Sequence, residues 1–332
     1  MKYLLQGKKI LFVAPRFFGY ESEICDELIR RGASVDFLLD RPFDTPAMKA
    51  MTRLNRNMVI KAADKYYFTK LNDLGSDFYD YVFVVNGQTL SNQTLAKWRA
   101  KFVDAIFILY MWDSFGNRKS AVDSLKYFDH VFTFDKEDAS KYSLNFRPLF
   151  FSNGFENVQS ARICWDISFV GTAHTDRAAV VQRVSRVLQV GVRKYFFLYL
   201  QAKWVFWLYR FTNSSFLNSK LSDFSFHSID KKTVQSVFNS SVCILDIEHP
   251  KQTGLTMRTL ETLGACKKLI TTNKNVVDYD FFDERNICVI DRLDPKIPAD
   301  FLTQPYYPVP SNIYHRYRLA GWMDEIIGAS QS

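Results

Sequence analysis

The chain predicts two successive α/β domains, each a doubly wound parallel sheet covered by helices on both faces. Three observations lead there. Apolar runs of strand length alternate with helix-like segments almost from the first residue, the runs are apolar throughout instead of alternating with polar residues, and the pattern breaks once, over residues 150–165, before it restarts. Strands buried on both faces read as continuous apolar runs, whereas a sheet with one wet face would alternate.

The elements follow in order. "KILFVAP" is a first strand, a helix follows over about 21–31, and "SVDFLLD", "YVFVVNG", "AIFILYMWD" and "HVFTFD" are further strands. Each ends in polar or small residues at the edge where ligands bind in such sheets. The break "FFSNGFENVQSARICW" marks the domain boundary, so residues 1–155 form one domain and 156–312 the next. The second half opens with the strand "DISFVGT" and a helix over about 176–188. A helix over about 231–239, then "VCILDI", "KKLITTN" and "NICVID", complete a second α/β unit. Residues 313–332 place Ile313, Tyr317, Leu319, Trp322 and Ile326 at roughly helical spacing and read as a terminal helix bracing both domains.

With 332 residues the chain is long enough for two domains, each burying its own core. A charged fraction of 23% against 47% hydrophobic is ordinary for a soluble globular protein. The aromatic content of 16% is high and needs a location. The 43 Lys and Arg exceed the 35 Asp and Glu by eight, which favours an anionic partner without choosing among nucleotide, lipid headgroup and nucleic acid. Scattered basic residues with no recognised module argue against nucleic acid. Five cysteines without C-x-x-C spacing read as buried reduced thiols, and "MKYLLQGKKILFVAP" lacks the long apolar run of a signal peptide, so a cytoplasmic protein is expected.

The segment "HPKQTGLTMRTLETLGACKKLITTN" carries the most chemistry. Gly254 allows a tight turn into a helix whose N-terminal amides and dipole favour a phosphate, with Thr253, Leu255 and Thr256 flanking it. Arg258 would make a forked contact with a diphosphate, and Glu261, on nearly the same face, would accept from ribose hydroxyls. The plain alternative is a loop–helix–strand unit in which Arg258 and Glu261 form an i, i+3 surface pair.

The order of "ILFVAPRFFGYESEI", "LYMWDS", "FTFDKEDASKY", "SFVGTAHTDR" and "GLTMRTLETLGACKKLITTN" resembles the two-domain GT-B glycosyltransferases of bacterial lipopolysaccharide and capsule clusters, with a distant similarity to the CgeB-like group. The resemblance reaches from the first strand to about residue 273. It implies a nucleotide-sugar donor held by the second domain, with Gly171, Thr172, His174 and Arg177 against the diphosphate and Glu261 on the ribose. Many such enzymes carry another glutamate eight positions before the ribose-binding one. Here that position is Thr253, which leaves the sugar contact and the stereochemistry open.

Other residues keep two readings. Asp113 follows an apolar strand at the sheet edge, where it would act as general base on an acceptor hydroxyl; it would equally cap the next helix. Asp138 is a weaker candidate of the same kind. Gly19 and Tyr20 in "RFFGY" would line the acceptor side, while Phe17 and Phe18 would serve there or in the core. "DYD" at Asp278 to Asp280 reads as a loop of solvated acids, and no metal or other cofactor is expected. Residues 192–211 combine Arg193, Lys194, Lys203 and Arg210 with a dense run of aromatics, too interrupted to cross a bilayer. They suit either a helix lying on the inner face of an anionic membrane or a buried aromatic helix pair.

The sequence therefore leads to a glycosyltransferase acting on a surface glycan or lipid-linked acceptor. Two rivals remain: a non-catalytic nucleotide-binding module serving a membrane transferase, and a sugar-nucleotide epimerase of the same two-domain plan.

Overall fold

A computed structural model describes residues 5–41, 57–156 and 162–329. Parts of the N-terminal and interdomain readings fall on residues 1–4 and 157–161, outside the described residues. The chain divides into two compact units, one made of Met1–Pro148 with Leu319–Ser332 and the other of Leu149–Arg318.

The first unit runs β1 (Lys9–Ala14), α1 (Tyr20–Arg30), β2 (Ser34–Leu39), α2 (Asn57–Leu74), β3 (Tyr81–Val85), α3 (Asn92–Lys101), β4 (Ile106–Met111), β5 (His130–Thr133), α4 (Lys136–Tyr142) and β6 (Asn145–Phe146). Its strands are all parallel in the order β2-β1-β3-β4-β5-β6. "YVFVV" and "IFILYM" are buried almost throughout, which is why they carry no alternation. Order reverses between β1 and β3, and a doubly wound sheet opens its ligand crevice at such a switch point.

The second unit runs β7 (Trp165–Thr172), α5 (Arg177–Val187), β8 (Lys194–Tyr199), α6 (Lys203–Thr212), α7 (Lys231–Asn239), β9 (Ser241–Asp246), α8 (Met257–Gly264), β10 (Lys268–Thr271), β11 (Ile287–Val289) and α9 (Ser311–Arg316). Its parallel sheet has the order β11-β10-β9-β7-β8, so its switch point lies between β7 and β9. Both units thus have the predicted doubly wound architecture.

Several expectations change. The terminal segment is two helices: α9 belongs to the second unit, and α10 (Leu319–Ala329) completes the first, with Tyr317 and Arg318 in the turn between them. Trp322 of α10 is fully buried in the first unit, with its ring 4.7 Å from Tyr110 and 6.2 Å from Phe83. The aromatic stretch 192–211 is no helix pair, since "KYFFLY" is strand β8, paired with β7 as its aromatic, β-forming composition favours. Only Cys243 is buried; Cys164 is exposed and the other three thiols lie between. Among the described residues, no helix is long and apolar enough to cross a membrane.

Candidate functional site

At the switch point of the second unit the ends of β7 and β9 stand side by side, each followed by a loop that feeds a helix. β9 ends in Asp246, fully buried, and the loop carries on through Glu248 and His249 to α8. Thr256 caps α8, accepting from the Thr259 amide at 3.2 Å. The Thr256 hydroxyl donates to Asp246 at 2.6 Å and the Thr259 hydroxyl to the same oxygen at 2.7 Å. Arg258 donates to the other Asp246 oxygen at 3.2 Å. A buried carboxylate is stable only when its lone pairs are filled, and three donors from one helical turn fill them here.

Arg258 is the second residue of α8, in its first turn. It turns toward Asp246 at the strand end, so the plain alternative of a surface pair with Glu261 does not form. Glu261 is buried at 5% exposure on the next turn of α8. Thr253 and Gly254 are fastened from the other side, their carbonyls accepting from Asn273 Nδ2 at 3.3 and 3.2 Å, while Asn275 Nδ2 reaches Thr253 at 3.0 Å. Leu255 is buried between this anchored turn and the helix cap.

The loop after β7 meets the same place. Gly171 is required by a close approach: a Cβ there would stand 2.9 Å from Phe169 Cζ and 3.4 Å from Arg258 Nη2. The Arg258 guanidinium lies 5.5 Å from the centre of the buried Phe169 ring. Thr172 closes β7 with its carbonyl accepting from the His174 amide at 3.0 Å and from Arg177 Nη1 at 3.3 Å. Thr175 holds φ at +57°, in the left-handed region where a β-branched residue is strained by about 1–3 kcal/mol. Asn213 Nδ2 holds its carbonyl at 2.7 Å, and its hydroxyl donates to the His174 carbonyl at 2.6 Å.

Arg177, the first residue of α5, donates to the Ile247 carbonyl at 2.7 Å and makes no ion pair with a carboxylate among the described residues. Its neighbour Asp176 instead pairs with Arg292 at 2.9 Å, and Arg292 also reaches Glu248, which accepts from the Thr272 hydroxyl as well. Burial, with Arg258 nearby, lowers the Arg177 guanidinium to about 10. His174 lies beside the His249 ring, centroids 6.1 Å apart, and is lowered to about 4 by burial, then by Arg177, His249 and Arg258. Its imidazole is therefore neutral at pH 7.

In the first unit, Gly19 caps α1 at φ +76° and Tyr20 opens that helix, buried. Phe17 and Phe18 are exposed at 47% and 54%, so they are not core. The Phe17 ring lies tilted against that of Trp112, the residue before Asp113, with centroids 6.2 Å apart, and this contact joins the loop after β1 to the end of β4. Both Asp113 oxygens are engaged within its own turn, by Asn117 Nδ2 at 3.1 Å and Arg118 Nε at 3.0 Å. Asp113 caps no helix. Asp138, in the first turn of α4, accepts from the Phe115 amide at 2.8 Å, and burial raises its carboxyl, with Asp135 and Glu137 adding to the rise against that hydrogen bond.

The sequence reading passed over Asp246, Glu248, His249 and Arg292. "ILDIEH" held the signal, because it puts two carboxylates directly after an apolar strand, the same argument that singled out Asp113. Arg292 lies 44 residues from Glu248 and has no spacing that would reveal the pair. Asp278 and Asp280 are exposed, as a loop of solvated acids would be, and Asp280 also accepts from the Tyr317 hydroxyl at 2.6 Å and pairs with Arg316 at 3.1 Å. Among the described residues, no three His, Cys, Asp or Glu side chains gather as metal ligands would.

No protein-family model and no curated protein sequence matches the chain. Solved structures do. The sucrose-phosphate synthase of Thermosynechococcus elongatus is 10% identical, with 98% of each chain covered and a TM-score of 0.61. HepE of Anabaena, solved with UDP and glucose, is 10% identical over 98% of this chain and 99% of its own, at a TM-score of 0.59. The lipopolysaccharide outer core galactosyltransferase WaaB is 10% identical over 97% of this chain and 99% of its own, at 0.50. At such identities the likeness shows the fold, which is that of the GT-B glycosyltransferases.

Proposed function

We propose that the chain is a glycosyltransferase that takes a sugar from a nucleotide-diphosphate donor bound at the β7/β9 switch point of the second unit. The observation that carries this reading is Arg177. It is a partly buried guanidinium held by backbone carbonyls, in ion-pair contact with no carboxylate among the described residues, next to a second arginine and a neutral histidine. Such a group is completed by an anion. The first-turn amides of α8, which have no carbonyl inside the helix to bond, would face the same charge.

In this reading Arg177 and Arg258 neutralise the diphosphate as its charge grows on leaving, with His174 donating a hydrogen bond, and no metal is needed. Gly171 and Thr172 let the phosphates approach the strand end, and the turn Thr253–Gly254–Leu255–Thr256 presents the helix. Glu261 takes the ribose. Asp113 accepts the proton of the attacking hydroxyl in an inverting displacement, with Gly19 and Tyr20 on the acceptor side; the raised Asp138 is the second candidate for that proton. Thr253, in place of an acid, leaves the donor sugar to other contacts.

The likeness to HepE, solved with UDP and glucose, supports a nucleotide-sugar donor. The likeness to WaaB, a lipopolysaccharide outer core galactosyltransferase, supports an acceptor in lipopolysaccharide assembly, and the narrower sequence resemblance extends this to O-antigen or capsule, with the acceptor reached in the cytoplasm at the inner membrane face. The decisive experiment is a thermal-shift screen with UDP, ADP, GDP and their sugars on the wild type and on Arg177→Ala, Arg258→Ala and Glu261→Ala. Stabilisation of the wild type that the variants lose is expected. No stabilisation by any nucleotide, or equal response of all four proteins, removes the donor assignment. Binding without release of nucleotide from any donor and acceptor pair would favour the non-catalytic module, and conversion of the donor sugar alone would favour an epimerase.

A further inference from the structure

Residues 177–222 contain no aspartate or glutamate, yet carry eight cations, namely five arginines and three lysines. Outside this stretch 35 of the 43 Lys and Arg remain to balance 35 Asp and Glu, so the whole net charge of +8 resides in it. No carboxylate within the stretch can pair with these cations; Arg193 pairs with Asp166 outside it and Arg177 turns into the switch-point site, which leaves the others to set the charge of this surface.

The same stretch exposes apolar surface. On α6, Trp204, Trp207, Leu208 and Phe211 are exposed at 67%, 51%, 48% and 84%. Their spacing of i, i+3, i+4 and i+7 makes one continuous stripe. Val205 and Phe206 are buried in the core of the unit, so the stripe is a second apolar face and no misplaced part of the core. Arg210 holds the following turn by donating to the carbonyls of Phe216, Leu217 and Ser219 at 3.1, 2.6 and 3.1 Å, which leaves Leu217 57% exposed beyond the helix end. Directly after Leu217 begins a groove of about 280 Å³ lined by Gln182, Arg183, Arg186, Ser214, Ser215 and Asn218. Arg183 donates to the Arg292 carbonyl at 3.1 Å with Asp291 nearby, and neither Arg183 nor Arg186 makes an ion-pair contact with a carboxylate among the described residues.

We infer that this face docks on an anionic lipid surface, the α6 stripe entering the headgroup–acyl boundary while the arginine groove takes a lipid phosphate. Two large indoles and a phenyl ring on one helix face, bordered by cations, match the mixed apolar and charged chemistry of that interface. Apolar contact and phosphate contact each give modest affinity, and stable attachment needs both. With 10 residues α6 is too short to cross the bilayer, so it lies in the plane of the surface. The inference deepens the reading of a lipid-linked acceptor and rests on it for the membrane that is met.

The test is sedimentation of the full chain with phosphatidylcholine vesicles and with mixed phosphatidylcholine–phosphatidylglycerol vesicles. Binding to the mixed vesicles alone, weakening with salt, is expected. Trp207→Ser with Phe211→Ser should weaken it about tenfold or more, and Arg183→Gln with Arg186→Gln should weaken it and flatten the salt dependence. No binding by the wild type, or equal binding by the variants, overturns the inference. Self-association in sedimentation velocity that the aromatic variant abolishes, without vesicle binding, overturns it in favour of a protein interface. Stabilisation by UDP should be the same in wild type and variants, which shows that they are folded. Should UDP stabilise none of them while vesicle binding persists, the donor reading fails and the docking surface stands.

Discussion

Gly171 leaves room for Arg258: a side chain at 171 would stand 3.4 Å from the guanidinium and 2.9 Å from the Phe169 ring beneath it. The strand end and the helix start are fitted to each other through a missing methyl group. Gly171→Ala is therefore expected to cost about 1–3 kcal/mol in chemical denaturation, because the Phe169 ring is fully buried and has little room to give. By displacing Arg258 it should also reduce stabilisation by UDP.

Asp246→Ala would leave Arg258 and two hydroxyls without their common acceptor. A loss of about 3 kcal/mol is expected, measured by urea denaturation. Asp246→Asn, which keeps the shape and one acceptor, should lose less. Equal losses would mean that charge and not packing holds the cluster.

His174 makes the pH dependence directional. Its folded value of about 4 lies below the ordinary value of 6.5, so the unfolded chain binds a proton that the native state refuses. Its contribution to stability is full above about 6.5 and is lost as pH falls toward 4. His174→Gln should remove that part of the acid slope. A bound diphosphate would offset the neighbouring arginines and raise the imidazole, so UDP binding near pH 5 should take up a proton. Calorimetry in buffers of different ionisation enthalpy would detect the uptake, and the His174→Gln variant should not show it.

In the proposed reaction two carboxylates, Asp113 and Asp138, are candidates for the proton of the acceptor. Asp113→Asn is expected to lower kcat by about 10²–10⁴ with the UDP thermal shift unchanged. Asp138→Asn should mainly alter the acid limb of the rate profile, since burial raises that carboxyl. If only the second substitution abolishes turnover, the base is Asp138 and Asp113 serves to hold its own turn through Arg118.

Much of the architecture was legible because it is local. "YVFVV" and "VCILD" are strands by their unbroken apolar character, and α7 and α8 fall where helical spacing put them. Gly171, Thr172, His174, Arg177, Thr256 and Arg258 do come together at one switch point. What escaped depends on contacts distant in sequence. Asp176 lies beside Arg177 yet pairs with Arg292, and Arg258 prefers Asp246 at the strand end to Glu261 on its own helix. The aromatic stretch misled for another reason: β8 and α6 are equally rich in aromatics, and composition does not say where a strand stops and a helix begins.

The closing of the first unit by α10 gives the molecule a nested order of assembly. The second unit is continuous in the chain, from 149 to 318, whereas the first needs Trp322 from the far end to fill the space beside Tyr110. On the ribosome the second unit is complete while the first still lacks its last helix. A nascent chain released before Trp322 would carry a finished second unit and, in the first, an apolar cavity where an indole belongs.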